Sequence, residues 1–330
     1  MNAAHALIQV VSAGSLTTVQ DTGRERYRDL GVGRAGTLDP EAAALTNRLV
    51  GNAASDALLE ITLHGPVLRF AIPVRIALYG APAPIAFKDA GGATHPLRTG
   101  RPIDLPAGSL RIGAIRDGLR VWLAFAGGID APRILDSRST DLRGGFGGLD
   151  GRALRADDTL TLCAPPCVSV DRPVSAPWWV APDIDALFGA SASSSATSIR
   201  YVPSTHPSAL ALGSSDWRVD PRSDRQGLRL AGASLPNPLP EQISAPVAPG
   251  TIQLPPDGQP IVLLADAQTV GGYPRLGHAI GIDLPRLAQC RPGQPLRFEA
   301  VTQGAAHRLW RERQAQLSRL CMAIDDKLRR

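Results

Sequence analysis

The chain has 330 residues, of which 44% are hydrophobic, 20% charged and 5% aromatic, and its 33 glycines and 29 prolines point to many turns. That length allows two domains with full cores, built from Val, Leu, Ile and Ala rather than from aromatic rings. The net charge of +5 comes from scattered arginines, with lysine only at Lys88 and Lys327; without a basic stripe interleaved with aromatics, nucleic acid is not the expected partner.

No apolar run reaches 18 residues and no basic segment precedes an apolar one at the N-terminus, so a cytoplasmic protein that neither spans nor binds a membrane is expected. Cys163, Cys167, Cys290 and Cys321 make no disulfide framework. The Cys163/Cys167 pair lacks a second pair of ligands, so no metal site is expected.

Leu7–Ser12 reads as a strand, and it leads to a polar turn at Gln20, Asp21, Thr22, Gly23 and Arg24. Asp39, Pro40 and Glu41 then form a helix start: a cap, a proline at the first position and an acid at the positive end of the dipole. Leu45, Leu49 and Val50 give this helix its apolar side, and Gly51 ends it. From Leu58 to Phe125 apolar residues alternate in short runs punctuated by turns, the pattern of an antiparallel barrel or sandwich. A glycine-rich loop over residues 127–148 carries Arg138, Ser139, Thr140 and Asp141; a loop this long is either functional or an excursion held by hydrogen bonds. Thr159–Leu162 closes the first unit.

The composition of residues 171–198, with prolines and the run GASASSSATS, is that of a linker. Short strands resume at residues 228–230, 251–254 and 261–265 and end at 297–301. Asp283 and Pro285 announce a short helix. In the tail, Leu317, Leu320, Cys321, Ile324 and Leu328 recur at helical spacing on one face. The expected organisation is a unit over 1–170, a linker over 171–198, a second unit over 199–303 and an amphipathic helix over 304–330.

The stretch 257–283 is the richest in chemistry. A buried strand delivers Asp266, Gln268 and Thr269, and Gly271, Gly272 and Pro274 surround Tyr273. It is equally a ligand wall with close backbone approach or a tight hairpin whose polar groups bond their own backbone. Asp224 beside Arg225 suits a fixed guanidinium fork for a carboxylate or phosphate, or a structural ion pair. With Gln253 these residues suit a small amide, ureido or carboxylate compound. His278 is either an acid–base residue or a backbone partner. Val19–Gly23 faintly echoes Ala267–Gly271. No Walker A loop, biotin-bearing lysine motif, G-x-S-x-G elbow or H-E-x-x-H helix is present.

An ordered set of segments resembles the biotin-dependent carboxyltransferase-like family, also called allophanate hydrolase subunit 2-like. The set comprises LTTVQDTGR (16–24), LDPEAAALTNRLVGN (38–52), LEITLHGPVLRF (59–70), AGGID (126–130) and SRSTDLRGGFGG (137–148). It continues through SDRQGLRL (223–230), IQLPPDGQPIVLLADAQTVGGYP (252–274) and DLPRLAQCRPG (283–293). The resemblance implies a mainly β fold of two cyclophilin-like β-barrel units, with a few short helices and a C-terminal helix. It implies a hydrolase in a complex with two partner subunits, a kinase-inhibitor-like B component and an A component. That complex opens the lactam of 5-oxoproline to glutamate using ATP. Two other activities occur in the family: carboxyl transfer from carboxybiotin to urea or a related amide, and non-catalytic antagonism of a kinase inhibitor. By the same resemblance Asp224, Arg225 and Asp266 orient the reacting molecule. Gln20, Asp21, Arg24, Gln253, Gln268, Thr269, Gly271, Gly272 and Tyr273 supply further contacts, with no metal. The chain departs from the family at Thr37 and Leu38, at Ala245, and at Ala267, where the usual arginine is missing.

Overall fold

The structure, a computed structural model, describes residues 7–164, 168–181, 196–237 and 243–330. The chain divides into two compact units: Met1–Gly23 with Pro40–Ser191 and Leu320–Arg330, and Arg24–Asp39 with Ala192–Arg319. The units are therefore not the contiguous spans that composition suggested. Residues 24–39 group with the second unit and the end of the tail with the first. Cys167 and residues 182–195 of the expected linker lie outside the described residues.

In the first unit the alternating runs become two antiparallel sheets. One runs β11 (Ile129–Asp130), β12 (Thr159–Leu162), β1 (Leu7–Ser12), β4 (Val67–Phe70), β9 (Gly108–Ile112), β6 (Ile85–Asp89), β7 (Thr94–Leu97). The other runs β13 (Val174–Ser175), β8 (Ile103–Leu105), β5 (Val74–Gly80), β10 (Arg120–Phe125), β3 (Leu58–Thr62), β2 (Leu16–Gln20). Both send alternate side chains into one core: Ile8, Val10, Leu68 and Phe70 from the first, Leu59, Ile61, Ile76, Leu78 and Leu123 from the second. Of the antiparallel barrel or sandwich expected, this unit takes the form of two sheets sharing one core.

In the second sheet β3 and β10 are buried on both faces, Glu60 and Arg120 included, although their sequences read as alternating. Helix α1 (Pro40–Leu49) packs against β5 and β10, with Leu45 and Leu49 fully buried. It ends at Gly51 (φ 83°), where the Asn52 N–H donates to Asn47 O and the Gly51 N–H to Arg48 O, a Schellman closure.

The second unit is a closed seven-stranded barrel in the order β14 (Thr197–Pro203), β21 (Arg275–Ala279), β18 (Thr251–Gln253), β19 (Ile261–Leu263), β16 (Gly227–Ala231), β15 (Trp217–Val219), β22 (Pro295–Ala300). Closure comes from the parallel pair β14–β22, while the other neighbours are antiparallel. Tyr201, Trp217, Leu230, Ile252, Leu276 and Phe298 fill it, and Tyr201 and Phe298 meet edge-on with ring centroids 5.8 Å apart.

Helix α2 (Leu284–Gln289) begins where expected, but Asp283 does not cap it. Its fully buried carboxylate instead takes the Arg200 guanidinium at 2.6 and 2.9 Å and the Arg200 N–H at 2.8 Å, tying the helix start to β14. Helix α3 (Gln303–Arg329) buries Ile324 and half-buries Leu317, Leu320, Cys321 and Leu328, the face the spacing indicated. An Arg48–Asp325 ion pair fixes its last turns to α1. Among the described residues no helix is long and apolar enough to cross a membrane.

Candidate functional site

Each unit carries one polar constellation at a turn. In the first, Asp21 follows β2 and is 7% exposed. Its Oδ1 accepts from the Ser137 and Ser139 hydroxyls, both at 2.6 Å, and from the Gly23 N–H at 2.8 Å; its Oδ2 accepts from the Arg138 N–H at 2.6 Å. The Asp21 N–H donates to Ser139 Oγ and the Ser139 N–H to Ser137 Oγ, both at 2.9 Å, which closes the network. The long glycine-rich loop is thus held down by one buried carboxylate, helped by two Thr140 bonds to Val19 O. Beside it Gln20 is fully buried; its Nε2 donates to Thr18 Oγ1 and Thr140 O, and its Oε1 has no partner.

The second constellation sits at the barrel end where β19 runs out. Asp266 and Arg225 form a fork-to-fork pair, Nε to Oδ2 at 2.8 Å and Nη2 to Oδ1 at 3.0 Å, with both side chains at most 5% exposed. The same Nη2 donates to Gly36 O at 2.5 Å, so the guanidinium also anchors the 24–39 segment. Asp224, expected as the partner of Arg225, is exposed. Its Oδ1 accepts instead from the Gln226 and Gly227 N–H groups, turning the chain into β16.

Gln253, 2% exposed at the end of β18, accepts through Oε1 from Gln268 Nε2 at 3.4 Å, while its own buried Nε2 has no partner. That nitrogen lies 2.6 Å from where a side chain at Gly271 would begin, which explains the glycine. Gln253, Gln268 and Gly271 are therefore brought together. Thr269 is buried nearby in sequence, with its carbonyl bonded to the Val247 N–H, whereas Tyr273 is 46% exposed. His278, exposed on β21, faces Thr251 Oγ1 at 3.4 Å, and partial desolvation of its ring lowers its pKa from the usual 6.5.

The sequence pattern points to Arg24 but not to Arg28 or Arg34. Arg28 Nη2 donates to Val247 O, and its buried Nη1 has no partner. Burial lowers the Arg34 pKa; Glu25 opposes that, and the nearby Arg28 and Arg225 charges add to it. Three guanidiniums thus converge on one barrel end. Ala267 is fully buried in a small apolar cluster with Val247 and Leu263. The signal for Arg34 is the tract Gly31-Val32-Gly33-Arg34-Ala35-Gly36, which sets an arginine among left-handed turns at Ala35 (φ 52°) and Gly36 (φ 84°); Arg28 has none.

The model of the carboxyltransferase domain, subdomain A and B, matches residues 30–300. The chain belongs to that family. It is 36% identical to the 5-oxoprolinase C subunit of Escherichia coli (strain K12) over 294 residues, covering 88% of this chain and 90% of the relative. It is 32% identical to the Haemophilus influenzae protein of the same name, covering 97% of this chain and 100% of the relative. Urea amidolyase of Lachancea kluyveri is 30% identical, with 94% of this chain matched to 18% of that protein. The crystal structure of the Kluyveromyces lactis urea amidolyase superposes with a TM-score of 0.81 at 27% identity, covering 96% of this chain and 20% of that one. The crystal structure of TTHA0988 gives 0.75 at 33% identity, covering 90% and 56%.

Proposed function

We propose that this chain is the C subunit of a cytoplasmic 5-oxoprolinase, an ATP-dependent complex with B and A subunits that opens the lactam of 5-oxoproline to glutamate. The observation that carries the reading is the end-to-end match to two proteins named for that subunit, over 90% and 100% of their lengths.

The second constellation suits this substrate, which carries one carboxylate and one cyclic amide. Arg28, Arg34 and Arg225 provide positive charge for the carboxylate, and Asp266 holds the Arg225 fork rigid. The spare Gln253 N–H suits a carbonyl oxygen. An amide carbon is a poor electrophile; phosphorylating its oxygen with ATP provides a leaving group when water adds. The balanced reaction takes ATP, 5-oxoproline and two waters to ADP, phosphate and glutamate. With no Walker A loop, this chain's part is to orient the substrate or its activated form.

The test is glutamate release from 5-oxoproline by this chain mixed with its B and A subunits, with and without ATP. ATP-dependent release that requires this chain supports the reading, and no release from the full mixture overturns it. The family match and the urea amidolyase structure favour a second reading, carboxyl transfer from carboxybiotin carried on another protein. The same donors fit a carboxylate and a ureido oxygen. Transfer of labelled carboxyl from free carboxybiotin to urea would favour this second reading over the first.

A further inference from the structure

Away from both constellations, the first unit has a recess of about 390 Å³ lined by Pro82, Ala83, Leu97, Arg98, Arg101 and Trp179. Its wall is part of the stretch that composition marked as linker. Residues 174–181 are instead strapped along the sheet edge. Val174 and Ser175 pair with β8, the Ala176 N–H donates to Pro102 O at 3.0 Å, the Val180 N–H donates to Gly100 O at 2.7 Å, and Tyr79 Oη donates to Ala181 O at 2.6 Å. Gly100 (φ 76°) lies against the strap so closely that a side chain would begin 2.0 Å from Val180 O.

The strap presents Trp179, 61% exposed, and the Arg101 guanidinium stacks over its ring at 5.3 Å. Arg101 Nη1 donates to Ala176 O at 3.0 Å, while its buried Nε has no partner. The guanidinium is therefore fixed in plane with donor capacity unspent. Arg98, exposed at the rim, adds a second positive charge, and among the described residues no acid lines the recess. Neighbouring acids are engaged elsewhere: Asp104 takes Arg75 at 2.6 and 2.9 Å, and Asp89 takes His95 at 2.8 Å. Pro82, Ala83 and Leu97 offer apolar surface beside the indole.

We propose that this recess binds a small carboxylate with a flat apolar body, the carboxylate on Arg101 and Arg98 and the body against Trp179 and the apolar floor. A volume of this size is in the range of small-molecule sites, and a planar fork beside an aromatic face recognises that shape and charge.

The test is calorimetric titration of the intact chain with benzoate, its neutral isostere benzamide and inorganic phosphate, with indole fluorescence followed in parallel. Benzoate is expected to bind saturably and at least tenfold more tightly than either control. Arg101→Gln and Arg98→Gln should each weaken it at least tenfold, and Trp179→Leu should abolish the fluorescence change. If Arg101→Gln lowers the melting temperature, the rim variant Arg98→Gln decides alone. No saturable benzoate binding, equal binding of phosphate, or unchanged affinity in folded Arg98→Gln overturns the proposal. Glutamate release by the assembled complex should be unaffected in Arg98→Gln, so this test and that of the proposed function fail independently.

Discussion

Asp21 and Asp266 are both buried carboxylates at turns that leave a strand, and they are satisfied in opposite ways. Asp21 takes four bonds from two serine hydroxyls and two backbone N–H groups, and its neighbours bond one another. Asp266 takes a guanidinium, which also reaches Gly36 and lies within range of the Arg34 charge. Gln20 Oε1, next to Asp21 in the chain, is an acceptor without a partner, whereas Gln253 Nε2, against Gly271 in the second unit, is a donor without one. A carboxylate met wholly by neutral donors fixes a loop. One that holds a cation among spare donors prepares a place for an anion. By this contrast the first turn is a structural knot, and the second is the one we propose holds substrate.

The largest test of the contrast is Asp266→Ala. Removing one partner of a buried pair strands the Arg225 charge and costs about 3–5 kcal/mol, measured as the urea unfolding free energy. The double change Arg225→Met with Asp266→Leu should recover most of that stability while glutamate release stays lost. Recovery of activity with stability would erase the functional role given to the pair.

Asp21→Asn should cost about 2–3 kcal/mol, because the serine and backbone donors lose a charged acceptor. Activity per folded molecule should be unchanged; a loss comparable to that of the double variant would mean the two turns are alike after all. Gln253→Met removes a buried donor that has no protein partner, so stability should move by less than about 1 kcal/mol. Substrate KM in the complex should rise about tenfold, the equivalent of one hydrogen bond of about 1.4 kcal/mol.

The smallest effect concerns acid. Hydrogen bonds from the Arg222 side chain and backbone hold the Asp220 pKa at about 2, down from 3.8. Since the folded pKa is depressed, this contribution is fully present above pH 3.8 and is lost as pH falls towards 2. Asp220→Asn should therefore show a shallower loss of melting temperature across that window, and a slope equal to that of the parent chain would contradict the assignment.

Much of the fold was legible because local patterns agreed with the final packing. The runs at 58–62, 67–70, 74–80 and 120–125 are strands, Pro40 begins a helix, and Gly51 ends it. In the second unit, the expected strands at 228–230, 251–254, 261–265 and 297–301 all lie in the barrel. What was not legible depends on partners distant in sequence. Asp283 looks like a helix cap until Arg200, 83 residues earlier, claims it. Asp224 looks like the partner of Arg225 until Asp266 takes that place from 41 residues away. Residues 174–181 look like a linker because their anchors, Tyr79 in β5 and Gly100 and Pro102 in the loop before β8, lie far away in sequence. In the candidate site, Gln253, Gln268 and Gly271 could be named from chemistry and turn residues. Arg28 could not, since nothing local distinguishes it from a surface arginine, and Arg34 had only its glycine-rich tract to mark it.

The parallel pairing of β14 with β22 has a consequence for synthesis. The barrel's first strand, at 197–203, waits for residues 295–300, its only parallel neighbour and the last strand to be made. Until then β14 and β15 each expose an unpaired edge, and the core around Trp217 and Tyr201 remains open to water. On the ribosome this unit is sealed late and by a long-range contact, a slow step in which exposed strand edges invite association. Substitutions that weaken β22 should therefore reduce soluble yield more than they reduce the stability of the finished protein.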